Sequence, residues 1–80
     1  MMTTAIWMWH HEGTRYAIEP CNRGGYDTVV EYGLENRPDR EHWANLREAR
    51  ERVRVRVAEL ADSGDESAKA ALAELDQLIS

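Results

Sequence analysis

Asn45-Leu46-Arg47-Glu48-Ala49-Arg50-Glu51-Arg52-Val53-Arg54-Val55-Arg56-Val57-Ala58-Glu59-Leu60 is the stretch that decides the fold. Leu46, Ala49, Val53, Val57 and Leu60 recur at spacings of three, four, four and three. That spacing lays one apolar stripe along a helix. Asn45 followed three residues later by Glu48 is a capping-box pattern, so the helix is expected to begin at Asn45. Ser63-Gly64 ends it, with Gly64 suited to the left-handed cap.

Beyond that stop, Ser63 and Glu66 repeat the capping spacing. Ala68, Ala71, Leu72, Leu75, Leu78 and Ile79 mark a second amphipathic stretch. Two readings stay open: a helical hairpin, or one helix bent at Gly64.

Upstream the composition changes. Pro38 divides a glycine-containing, β-forming half from an Ala/Leu/Arg/Glu half. Thr3 to His11 predicts a strand, with Trp7, Trp9 and His11 on one face and Ile6, Met8 and His10 on the other. Large apolar groups on both faces place such a strand either at a sheet centre or at an interface. Glu12-Gly13-Thr14 predicts a hairpin loop, and Arg15 to Glu19 a second strand stopped by Pro20. Cys21 to Gly25 is a turn. Tyr26 to Tyr32 is a third strand, with Asp27, Val29 and Glu31 on a face of their own. The polar run Gly33 to His42 predicts a loop, and Trp43 is placed to plug the seam between sheet and helix. The expected fold is α+β: a single domain over 1–80 in which a three-stranded antiparallel meander packs on a C-terminal helix or helical hairpin. Its strands fall within 3–32 and its helices within 45–79.

The 80 residues cannot hold a Rossmann domain, a TIM barrel or a second domain. A chain this small usually needs a staple, yet its one cysteine, Cys21, cannot form an internal disulfide. Cys21 is expected as a passive turn residue. No zinc-type Cys/His spacing stands in the chain, and His10 and His11 point to opposite strand faces. No metal and no cofactor are therefore expected; a pairing of His11 with His42 would need the fold to join them. Met1 to Trp9 is too short to span a membrane and lacks a basic leader, so a soluble, cytoplasmic protein is expected.

The formal charge of −5 argues against a general polyanion binder. Its distribution is uneven. The first and last segments are acidic, while residues 37–56 gather Arg37, Arg40, Arg47, Arg50, Arg52, Arg54 and Arg56. On a helix Arg47, Arg50 and Arg54 share one flank of the apolar stripe, suited either to internal ion pairs or to an acidic partner. Asp27, Glu31 and Glu35, with the ring of Tyr32, are the leading contact candidates on the strand half. The rings Trp7, Trp9, Tyr16, Tyr26, Tyr32 and Trp43 suit half-wet core or interface positions.

Trp43-Ala44-Asn45-Leu46-Arg47-Glu48-Ala49 resembles the aromatic–x–Ser/Thr–x–x–Glu–Ala helix opening of the arm-binding domain of phage integrases, with Asn45 at the Ser/Thr position. That resemblance implies a small sheet-plus-helix fold. In that family a basic sheet binds DNA, whereas the strand half here is acidic. In size, acidity, compact plan and absence of a catalytic motif, the chain also resembles phage anti-defence proteins, the anti-CRISPR proteins in particular. That second resemblance is one of type and transfers no residue. It implies a non-enzymatic inhibitor in the host cytoplasm that occludes a larger protein complex such as a CRISPR effector. Asp27, Glu31, Glu35 and Tyr32 are its first expected contacts and Arg47, Arg50 and Arg54 its second. The alternative is a small nucleic-acid-binding regulator using the arginine flank or the sheet. An enzyme ranks third, since it would need a pocket containing His11, Cys21 or His42. A homodimer is compatible with each.

Overall fold

The computed structural model describes residues 5–33 and 38–78. Four strands run β1 (Trp7–His11), β2 (Thr14–Pro20), β3 (Tyr26–Tyr32) and β4 (Asp39–Trp43), followed by helices α1 (Leu46–Asp62) and α2 (Glu66–Gln77). The sheet is a fully antiparallel meander in the order β1-β2-β3-β4. The α+β class and the antiparallel sheet followed by helices are as expected. Thr3, Thr4, Glu35 and Ile79 lie outside the described residues.

The sheet has four strands rather than three. Asp39-Arg40-Glu41-His42 carries no apolar alternation, so the sequence hides this strand in a predicted loop. Pairing with β3 makes it a strand. Asp27 stands opposite His42, Val29 opposite Arg40, and Tyr26 opposite Trp43. An edge strand of charged residues is a stable solution, because charge discourages a further strand from adding to that edge.

Glu12 and Gly13, both with positive φ, connect β1 to β2, the backbone signature of a tight primed hairpin turn. Asn45 caps α1, its side chain accepting from the Glu48 N–H at 3.0 Å. Asp65 rather than Ser63 caps α2, accepting from the Ala68 N–H at 2.9 Å. Ser63 instead donates its hydroxyl to the Leu60 carbonyl. Gly64 at φ 99° reverses the chain between the helices, so the hairpin is formed and the single bent helix is not.

One face of the sheet meets the helices. Trp7, Tyr16 and Ile18 pack with Ala49, Val53, Val57 and Ala61 of α1 and with Ala68, Ala71 and Leu75 of α2 in one core. Small alanines at these positions let the two helices approach closely. Trp43 fills part of the seam and donates its indole N–H to the buried Thr28 hydroxyl at 3.0 Å. No helix among the described residues is long and apolar enough to cross a membrane.

Candidate functional site

Strand alternation sends Met8 and His10 of β1, Arg15, Ala17 and Glu19 of β2, Asp27, Val29 and Glu31 of β3, and Arg40 and His42 of β4 to the face away from the helices. No described element covers this face. Its centre is nevertheless dry: Ala17 and Val29 are fully buried. The long side chains around them close over them, their aliphatic stems inward and their charges outward.

Those charges form one connected ladder. Arg15 reaches Glu31 at 2.7 Å and Glu19 at 3.6 Å. Arg40 reaches Glu19 at 3.1 Å and Asp27 at 3.0 Å. His42 Nδ1 lies 2.8 Å from Asp27 Oδ1. The side chains of Glu19 and Asp27 are only 15% and 17% exposed, so the acids sit within the layer while the bases cross above them. The His42 hydrogen bond, joined by that of Arg40 and opposed by partial burial, holds the Asp27 carboxyl below its ordinary range. Each carboxylate in such a network orders its neighbours' rotamers.

Beside the ladder lies an apolar margin. Ile6 and Met8 are 40% and 50% exposed at the β1 edge. The Met8 sulfur accepts from Arg15 Nε at 3.1 Å, which ties this margin to the ladder. The backbone of β1 is paired on one side only, since β1 and β4 are the two ends of the strand order.

The residues singled out from sequence are dispersed. Asp27 and Glu31 share the open face. Tyr32, 46% exposed, faces the helix side at the end of β3. There it lines a cavity of about 540 Å³ with Tyr16, Asp39, Glu41, Arg52 and Arg56. Partial burial, then the neighbouring Asp39 carboxylate, raises the Tyr32 hydroxyl above its ordinary value. Glu35 is outside the described residues. Arg50 and Arg54 converge on Asp76 of α2 at 3.2 and 2.8 Å and clamp the helical hairpin. Arg47 stands apart, in a shallow groove with Trp43, Glu48, Glu51 and Arg52.

His11 and His42 occupy opposite sides of the sheet. His11 Nε2 meets Asp65 Oδ2 at 2.6 Å beside the Trp9 ring, at the junction with α2. His42, on the open face, instead has Asp27 and Cys21 for neighbours: one donor atom of each of the three lies within 4.8 Å of the others. The sequence reading missed Arg15, Glu19, Arg40 and Met8 as members of one surface. Their shared parity signals it once β4 is recognised and the strand register is fixed.

Compared with models of known families, with curated proteins and with solved structures, the chain finds no match.

Proposed function

We propose that this chain is a non-enzymatic interaction domain that docks the open face of its sheet, led by the β1 margin, onto a larger protein and occludes a working surface there. The observation that carries this reading is the exposed pair Ile6 and Met8, set beside an ordered ion-pair ladder on an uncovered face. An ordered charged surface loses little side-chain entropy on association, and a neighbouring apolar margin supplies the contact that excludes water. Trp7-Met8-Trp9-His10-His11 contains no proline, lysine or acid to blunt a strand edge, whereas β4 is charged along most of its length.

The specific version is an anti-CRISPR-type inhibitor. The net charge of −5 favours steered approach to a basic surface, and CRISPR effectors hold their nucleic acid in positively charged channels. The sequestration of Arg50 and Arg54 by Asp76 supports a protein partner over a nucleic acid, since two of the three flanking arginines are already engaged.

The test is affinity capture from host lysate with and without nuclease, comparing the natural chain with Met8→Asp. A stoichiometric protein partner that survives nuclease and is lost with Met8→Asp supports the reading. A catch that disappears with nuclease overturns it in favour of nucleic-acid binding.

A further inference from the structure

Three side chains at one end of the open face carry the donors that a transition metal takes, and three separate segments bring them there. Cys21 Sγ, a carboxylate oxygen of Asp27 and an imidazole nitrogen of His42 all lie within 4.8 Å of one another. Asp27 and His42 are directly paired across β3 and β4. Cys21 arrives from the turn after β2, which is closed by its own N–H donating to the Gly25 carbonyl at 3.1 Å and by the Gly24 N–H donating to the Cys21 carbonyl at 3.0 Å.

The turn is built to lie against β4. Gly25 has φ 78°, and a Cβ there would collide with the Trp43 carbonyl oxygen and stand 3.0 Å from the His42 ring. Only glycine lets this loop seat itself so close to the end of β4, and that seat holds Cys21 within reach of the Asp27–His42 pair.

We propose that Cys21, Asp27 and His42 form a binding site for one divalent transition-metal ion of the zinc class, with a further coordination position open to solvent. The donor set is one thiolate, one imidazole and one carboxylate. Magnesium and calcium favour all-oxygen shells, whereas a sulfur and a nitrogen select zinc and its neighbours. Around a tetrahedral zinc, such donors stand about 3.4–3.6 Å apart. Asp27 Oδ1 and His42 Nδ1, 2.8 Å apart, would open by roughly half an ångström, while the Cys21 sulfur, within 4.8 Å of a donor atom of each, would move in by roughly an ångström at most. The His42 side chain is 54% exposed and Cys21 is half-buried, so both can turn without disturbing the core. Arg40 grips Asp27 Oδ2 and leaves Oδ1 facing His42, which fixes the direction in which the carboxylate presents itself. The ion would tie the β2–β3 turn to the edge strand β4, supplying a staple to a small domain that has no disulfide.

The site is tested on the isolated full-length chain, so the result is independent of the docking reading. After chelator treatment, the protein is titrated with cobalt(II), then with zinc and magnesium. Expected are a thiolate-to-cobalt charge-transfer band saturating at one equivalent per chain, its displacement by zinc, and a zinc-dependent rise in melting temperature that magnesium does not produce. Cys21→Ser should abolish the band, and His42→Ala and Asp27→Asn should each weaken cobalt binding at least about tenfold, since even the loss of a group that only supports a ligand costs that much. Far-UV circular dichroism confirms that each variant is folded. Absence of the band in excess cobalt overturns the proposal. So does a band that survives unchanged in both His42→Ala and Asp27→Asn, since a bare thiol then suffices. A stoichiometry of one metal per two chains also overturns it.

Discussion

Gly24 and Gly25 are neighbours with similar positive φ, 96° and 78°, but their surroundings differ. A Cβ on Gly24 meets nothing within 4 Å, whereas one on Gly25 strikes the backbone of β4. Gly24→Ala should therefore cost about 1 kcal/mol of backbone strain. Gly25→Ala should cost about 2 kcal/mol or more, because the turn must also move. Urea unfolding of the two variants separates these outcomes, and equal losses would mean that the contact with β4 is soft. Asp65 and Asp76 provide a second residue-scale expectation. The His11 hydrogen bond, then the Ala68 N–H, holds the Asp65 carboxyl below its ordinary 3.8, and the Arg54 hydrogen bond does the same for Asp76. Both carboxyls bind protons less readily folded than unfolded. Their stabilisation is therefore complete above about pH 4–5 and disappears as pH falls through the folded values. Asp65→Asn retains the cap oxygen but not the charge. It should lower stability at neutral pH and flatten the acid limb, as followed by thermal melts across pH.

At the scale of elements, α1 and α2 are joined by a clamp in which two arginines share one carboxylate. Asp76→Ala should leave the half-buried Arg50 with Glu51 alone and accelerate hydrogen exchange along α2 more than along α1. Equal acceleration in both helices would show that the clamp does not act locally. The elements also show what the sequence could tell. Asn45 with Glu48, the stripe from Leu46 to Leu60, the Gly64 stop and the alternation of Tyr26 to Tyr32 are each local, and each appears in the fold as read. The strand β4 does not announce itself, because Asp39-Arg40-Glu41-His42 has neither apolar period nor β-branched residues. Its structure comes from a partner strand. With β4 unread, His42 stood in a loop. Neither the ladder linking it to Asp27, Arg40 and Glu19 nor its meeting with Cys21 could then be seen. The pairing of Arg50 and Arg54 with Asp76 was hidden for a similar reason, since it needs the angle between two helices rather than their sequences.

For the molecule as a whole, the two sides of the sheet make separable claims. Met8→Asp on the open face should weaken binding to a captured partner about thirtyfold or more, the loss of a hot-spot contact. Arg47→Glu, on the helix side, should leave affinity within about twofold. A titration by calorimetry reads both, and the reverse ranking would move the interface to the helices. Strand order follows chain order throughout, so most neighbours in space are neighbours in sequence. The packing of the helices on the sheet is long-range, and so is the junction where α2 returns to β1, made by Trp9 Nε1 on the Ser67 hydroxyl at 2.9 Å and His11 on Asp65 at 2.6 Å. These links span 58 and 54 residues, the widest separations bridged by side-chain hydrogen bonds among the described residues. Closing a loop of that length costs more chain entropy than closing any of the tight turns, so this junction is expected to form late. Contacts made late in assembly act mainly on the unfolding rate, so Ser67→Ala is expected to shorten the lifetime of the folded chain more than it slows its formation, as read from the two limbs of a stopped-flow chevron.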